Sequence, residues 1–349
     1  MSIKSGMAAL NLEFTDQVPR TEYSAHTHWD LIKRTTGICD EESINNGTAS
    51  RAFMKHWDYA FMWNILVHNS YLGTKRTSMG HAEYAAGGTD RNNYVYCPFE
   101  DEDDVLNYDP FEEIGEIDIN AMKLEFENHY KSANTAYPDT VNMTGIYITC
   151  ISGIIELFGW DMLLAAAGAD PKAFGEMTNR YCKWMRQHFE ALALSDVPVV
   201  MIHDDIVWTE GAFMRPDWYR QFVFPNYDMM FEPLHKANKK ILYTSDGNYT
   251  EFIDDIAKCG VDGFVLEPLT DMQYIADKYG KTHSFVGNAD TRILLSGTKE
   301  DIYNEVKRCM DIGKKYPGFI MAVGNHIPAN TPVDNCLWYD EFYRELGKR

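Results

Sequence analysis

Residues 239–268 read KKILYTSDGNYTEFIDDIAKCGVDGFVLEP, and the stretch states one pattern twice. An apolar run, ILYTS, ends at Asp246; helix-forming residues follow, and a second apolar run, GFVL, ends at Glu267. A third run, HSFVG, delivers Asn288, so the polar residues at 246, 267 and 288 are evenly spaced. A strand, a loop, a short helix and a return loop take about this length, which makes each step one βα unit. Asp246, Glu267 and Asn288 are then expected at the carboxyl ends of neighbouring parallel strands. In βα barrels that rim is where active sites are built.

The same pattern extends in both directions. VPVVMI at 197–202 is nearly all apolar, as suits a strand buried on both faces, and it ends in His203-Asp204-Asp205. TGIYIT at 144–149 and GFIMAV at 318–323 read as further strands, the latter ending in Gly324-Asn325-His326. Helices are predicted over 119–137, from Pro171 to about Leu194, from Pro216 to about Asn238, and over 299–315. Earlier in the chain, FMWNILVHN at 61–69 and YVYC at 94–97 supply two more candidate strands, bringing the count to eight. The fold class expected is α/β: a (β/α)8 TIM barrel over residues 59–349, preceded by an N-terminal helical extension over 1–58. A doubly wound open sheet would carry a Gly-rich phosphate turn after its first strand, and GGTD and SDGN are not such turns.

A formal charge of −20 over 349 residues argues against nucleic acid and against anionic membrane surfaces as partners. Seven cysteines without a CxxC pair suggest reduced thiols and a cytoplasmic setting. The N-terminal sequence lacks a charged-then-apolar leader, and no apolar run reads as long enough to span a bilayer. His26 and His28 form an HxH pair, but on a helix they would face different ways, so packing is the simpler role.

The residues expected on the rim are Thr149, Cys150, His203, Asp204, Asp205, Ser245, Asp246, Glu267, Asn288, Asp290, Asn325 and His326. Carboxylates and an imidazole converging there could do acid–base work or hold a metal. His203, Asp205, Asp246 and Glu267 are the catalytic candidates. Each has a structural rival: Asp246 lies in a turn-forming SDGN and could cap a helix, and His203 could bond to backbone in the core. Glu267 at an apolar strand end is costly unless it faces a cleft or a partner. GxSxG, HExxH and phosphate-loop motifs are absent.

HDDIVWTEGAFMRPDWYRQFVFPNYDMM, ILYTSDGN, SFVGNADTRILLSGTKEDIYNEVKRCM and GNHIPANTPVDN, with weaker likeness in VPRTEYSAHTHWDLI, resemble the uroporphyrinogen decarboxylase superfamily. That resemblance covers most of the chain and implies either of two activities. The decarboxylase branch carries an N-terminal Arg-rich signature that is missing here, and carboxylates on a substrate need such guanidinium partners. The cobalamin-dependent methyltransferases that activate thiols use His-x-Cys after one strand and Cys near the last. Here those places read Thr244-Ser245-Asp246 and Asn325. The resemblance therefore implies a methyltransferase that takes a methyl group from an O- or N-methylated small molecule and gives it to the Co(I) corrinoid of a partner protein. Tetrapyrrole decarboxylation is the alternative. A corrinoid-binding Asp-x-His-x-x-Gly motif is absent, so the cobalamin is expected on that partner. A zinc ion, if held, would need Asp246, Glu267 and His203 as ligands. Tyr243 and Trp208 are candidates to clamp the substrate, with core packing an equal alternative, and Asn288, Asn325 and His326 are candidates to line its pocket, the two amides having loop stabilisation as their rival.

Overall fold

The computed structural model describes residues 2–78 and 96–349, together with the backbone of two short strands at 84–85 and 88–89. Seven parallel strands pair in chain order: β1 (Phe61–Val67), β2 (Val141–Ile146), β3 (Val199–His203), β4 (Lys240–Thr244), β5 (Gly263–Val265), β6 (Ser284–Val286) and β7 (Phe319–Ile320). Helices fill the connections, among them Ile119–Ala136, Ile151–Ala169, Pro171–Leu194, Phe224–Lys236, Ile253–Lys258, Met272–Tyr279 and Lys299–Gly313. A parallel sheet needs such crossovers, and their covering of the outer face explains why the strands read as unbroken apolar runs. The fold is TIM-barrel-like, as expected.

The eighth place is taken by a different stretch from the one predicted. Of the YVYC run at 94–97, residues 94 and 95 lie outside the described residues, and Tyr96 and Cys97 belong to no strand. Arg20 instead forms parallel bridges to Tyr59, just before β1, and to Met321, just after β7. The Ala60 N–H donates to the Arg20 carbonyl at 2.7 Å, and the Thr21 N–H donates to the Met321 carbonyl at 3.0 Å. Residues 19–21 therefore close the curl of the sheet as a seam. Beside them Gln17 bridges Lys348 in antiparallel register.

Strand alternation divides the core in two. Phe61, Val141, Met143, Val199, Met201, Leu242, Val265, Val286 and Ile320 point inward, with Ala9 and Leu10 of the helix Ser2–Leu10 packed against them. That helix stops one end of the barrel. Met62, Ile146, Val200, Ile202, Ile241, Tyr243, Phe264 and Phe285 point outward into the larger core beneath the helices.

Several boundaries moved. β2 begins at Val141, three residues earlier than TGIYIT implied, leaving Tyr147 at its carboxyl end. The single helix expected from Pro216 is two, Pro216–Phe222 and Phe224–Lys236, divided at Val223 ahead of Pro225. Contrary to expectation, one described helix, Ile151–Ala169, is long and apolar enough to cross a membrane by length and composition. Its residues serve the core instead, and Gly159 interrupts it at φ 74°. All seven cysteines are free thiols. His28 caps the helix Trp29–Thr36 by accepting the Leu31 N–H, and His26 packs edge-on to Tyr59. Both histidines are packing residues.

Candidate active site

The period of the strands decides which rim residues can meet. His203 ends β3 on the inward face, so Asp205 follows it inward while Asp204 turns outward. His203 lies flat on the Tyr147 ring, with centroids 3.8 Å apart and 6° between the planes. Its Nδ1 is 3.2 Å from the Tyr147 carbonyl oxygen and 3.3 Å from Ser152 Oγ. Its Nε2 is 3.2 Å from Asp205 Oδ1. Ser152 Oγ accepts the Asp205 N–H at 2.7 Å, and Asp205 Oδ1 accepts the Asp246 N–H at 2.8 Å. Each residue thus fixes the next. One donor atom from each of His203, Asp205 and Asp246 lies within 4.8 Å of the others.

Glu267 comes from the neighbouring strand end. Its Oε2 accepts the Gly247 N–H at 2.7 Å, and its Oε1 accepts the Asn325 side-chain amide. The same Asn325 amide reaches Asp246 Oδ2 at 3.4 Å. The His326 N–H donates to Asn325 Oδ1 at 2.7 Å, which sets which way the amide faces. Asn325 therefore ties the two carboxylates together.

Asp204 does structural work. It is fully buried, and its Oδ1 accepts the Ser152 N–H at 2.7 Å and the Cys150 N–H at 3.2 Å at the head of Ile151–Ala169. Burial raises its pKa, opposed by the Tyr227 hydroxyl and those N–H donors. The helix terminus is a favourable place for that charge.

Of the other sequence-predicted site residues, Tyr243 and Asn288 stand apart from the cluster. Tyr243 is on the outer face of β4, fully buried, with its hydroxyl donating to the Asp204 carbonyl at 3.1 Å. The alternation that points Leu242 inward sends Tyr243 the other way. Asn288 follows Gly287, whose φ of 130° breaks the alternation. Its amide donates to the carbonyls of Glu267 at 3.2 Å and Thr270 at 3.3 Å, and its Oδ1 accepts from Arg308 at 3.0 Å. It clasps the loops behind the site. Trp208 sits on the hairpin after β3, 45% exposed and packed against Trp160 and Phe213. His326 meets the Tyr23 ring edge-on at 6.2 Å.

Tyr23 is a site residue that sequence reading missed. It follows the seam, its ring stacks on Trp63 at 4.9 Å, and its hydroxyl is buried without a hydrogen-bond partner among the described residues. Burial raises its pKa well above the usual tyrosine value, with Asp246, Glu22 and Glu267 adding to the effect. A phenol held neutral near two rim carboxylates keeps its O–H as a hydrogen-bond donor. The signal available was position alone, since Tyr23 lies just past a strand too short to recognise.

His203, Asp205 and Asp246 offer one imidazole and two carboxylates, a donor set that fits a divalent cation. Glu267, expected among the ligands, has its carboxylate engaged by Gly247 and Asn325 instead.

The family model described as uroporphyrinogen decarboxylase (URO-D) matches residues 110–346. A uroporphyrinogen decarboxylase of Geobacter metallireducens is 23% identical over 190 residues, 54% of this chain and 54% of the relative. That of Carboxydothermus hydrogenoformans is 24% identical over 177 residues, 51% of this chain and 49% of the relative. The match thus spans about half the length of these curated relatives. Among solved structures, a methyltransferase from Methanosarcina mazei aligns with a TM-score of 0.63 at 18% identity, covering 99% of both chains, and so shares the fold. The matched segment takes in His203, Asp205, Asp246, Glu267 and Asn325, and the chain belongs to the uroporphyrinogen decarboxylase (URO-D) family.

Proposed function

We propose that this chain is a methyltransferase that moves a methyl group from an O- or N-methylated small molecule, such as a phenyl methyl ether, to the Co(I) corrinoid of a partner protein. The observation that carries the proposal is the imidazole–carboxylate cluster on the rim. Of its members, Asp246 stands where the thiol-activating relatives are expected to keep a cysteine, and His203 and Asp205 approach it from the neighbouring strand end.

An ether oxygen or amine nitrogen releases a methyl group only if the departing atom is stabilised as it takes the bonding electron pair. His203 and Asp205 are where a positive charge would be held for that purpose, as a proton or as a cation. Tyr147 and Ser152 keep the imidazole from turning, and Asp246 is anchored through its N–H to Asp205. Glu267 and Asn325 define the opposite wall, and Tyr23 brings a neutral hydroxyl to it. The partner-borne corrinoid would supply the cobalt nucleophile that accepts the methyl group.

Decarboxylation of a tetrapyrrole is the second reading, favoured by the family model and the curated relatives. It asks for a guanidinium or ammonium opposite each substrate carboxylate. Arg292 is already engaged by Asp290, its Nε and Nη2 lying 3.1 and 2.6 Å from Oδ2. Arg215 is exposed at the head of Pro216–Phe222. Incubation with a reduced corrinoid protein and a panel of methyl ethers and methylamines should give the methyl–cobalt absorption spectrum with at least one donor. No spectral change with any donor, together with carbon dioxide release from uroporphyrinogen, would sink the methyltransferase in favour of the decarboxylase.

A further inference from the structure

We propose that Tyr23 and Trp63 form a recognition wall on the inner face of the barrel and select an aromatic methyl ether by donating hydrogen bonds to its oxygens. The proposal rests on the reading of this barrel as one that handles a methylated small molecule, but it is tested by binding, so the two can fail separately.

Strand alternation brings the two rings together. At the seam Arg20 points outward between Trp57 and Tyr343, and Glu22 points outward onto the Tyr339 hydroxyl, so Tyr23 turns inward. Trp63 stands two residues past the inward Phe61 on β1 and takes the same face. Both pack against the inner core, and their rings stack with centroids 4.9 Å apart and 25° between the planes. His326 meets Tyr23 on another side at 6.2 Å. Each ring is half-buried, so part of its surface stays accessible. These rings take the part expected of Tyr243, which points away into the outer core.

The polar tips of the rings set the chemistry of the ligand. The Tyr23 hydroxyl and Trp63 Nε1 are both buried, and neither has a hydrogen-bond partner among the described residues. An indole N–H can only donate, and a phenol kept neutral donates as well. A buried donor without an acceptor is costly, and a ligand that supplies the acceptor removes the cost. The wall therefore asks for oxygen acceptors carried on a flat, apolar body that can lie against two aromatic rings. Burial raises the Tyr23 pKa, with Asp246, Glu22 and Glu267 adding to the effect, and the same charges would repel a carboxylate or phenolate. A quaternary ammonium would be drawn to those acids and to the ring faces. It carries no acceptor, however, and would shut both donors away from any partner. A neutral aromatic ether meets all of these demands.

Isothermal titration of the full chain with 2-methoxyphenol should show saturable, stoichiometric binding. Tyr23→Phe and Trp63→Phe keep the stacked rings and remove one donor each, and each should weaken that binding about three- to tenfold. Toluene, which has the ring but no oxygen, should bind both variants as it binds the wild type. Because the fold gives the Tyr23 hydroxyl no partner, Tyr23→Phe should melt no lower than the wild type, and the same melts check that both variants fold. No binding of 2-methoxyphenol, or unchanged affinity in either variant, overturns the proposal. So does weakening of toluene to the same degree, or a lowered melting temperature in Tyr23→Phe, which would mean that the hydroxyl is paired within the fold. Tetramethylammonium bound more tightly than 2-methoxyphenol overturns it too, making the wall a cation cage. Variant-sensitive binding of 2-methoxyphenol without methyl transfer from any donor sustains the wall and overturns the functional proposal. Methyl transfer from aromatic ethers undiminished in both variants does the reverse.

Discussion

The seam and the rim both gather ionisable groups at the sheet, and they treat charge in opposite ways. At the seam the chain supplies its own cation. Arg20 is fully buried between the rings of Trp57, at 4.5 Å, and Tyr343, at 4.2 Å. It donates to the Trp57 carbonyl at 3.0 Å through Nε and lies 2.7 Å from Asp340. Glu22 beside it accepts the Val323 N–H at 3.0 Å and the Tyr339 hydroxyl at 2.7 Å. At the rim the acids are held by backbone N–H groups and one shared amide, with the His203 imidazole 3.2 Å from the Asp205 carboxylate. A cluster that carries its own counter-charge stabilises the fold; a cluster held through backbone N–H groups and an amide is positioned by them. Burial alone does not separate the two. What the neighbouring groups are able to donate does.

The comparison breaks most readily at Arg20. Arg20→Ala leaves Asp340 and Glu22 buried without their guanidinium and should cost about 3–5 kcal/mol in denaturant unfolding. A loss under about 1 kcal/mol would mean that the seam does not close the barrel. Asp246→Ala should instead spare stability to within about 1 kcal/mol while slowing methyl transfer about 10²–10³-fold. Equal damage to both readouts would erase the distinction.

Glu22 tests the seam by pH. Burial, only partly countered by Arg20 and the Val323 N–H, pushes its pKa up from 4.5 to about 7. Its folded value lies above its unfolded one, so its contribution is complete below about pH 4.5 and is lost as pH rises through about 7. The wild-type chain should lose about 3 kcal/mol across that window relative to Glu22→Gln, measured by urea unfolding at a series of pH values. Parallel curves for the two proteins would refute the shift. Asn288→Ala, which unclasps the loops behind the site, should cost about 1–2 kcal/mol in urea unfolding. Smallest of all, Arg292→Ala removes a surface pair and should change unfolding by less than about 1 kcal/mol.

The repeated units at 239–290 were legible because parallel strands buried on both faces leave apolar runs, and because each run stops at a polar rim residue. Asp246, Glu267, His203 and Asp205 were readable for the same reason. The outward course of Tyr243 was equally available, since Leu242 inward fixes its neighbour outward. Asn288 was not recoverable, because the conformation of Gly287 cancels the period. The seam was hidden for a physical reason. It is held by residues 19–21 alone, centred on an arginine, and no apolar pattern marks a strand of that length. The role of Tyr23 was hidden with it.

Closing the barrel at residues 19–21 also imposes a schedule on folding. The Val18 N–H donates to the Gly347 carbonyl at 2.8 Å, and the Met321 N–H donates to the Pro19 carbonyl at 2.8 Å, so the seam joins stretches some three hundred residues apart. Such contacts form late, after most of the loop entropy has been lost elsewhere. During synthesis the far side of the seam must wait for β7 and the helix Val333–Leu346, with its N–H and C=O groups unpaired. Unpaired edges recruit other chains. Ribosome-arrested chains should therefore stay protease-sensitive at residues 17–21 until sequence beyond 321 has emerged. Chains stalled before β7 should be the ones that chaperones hold.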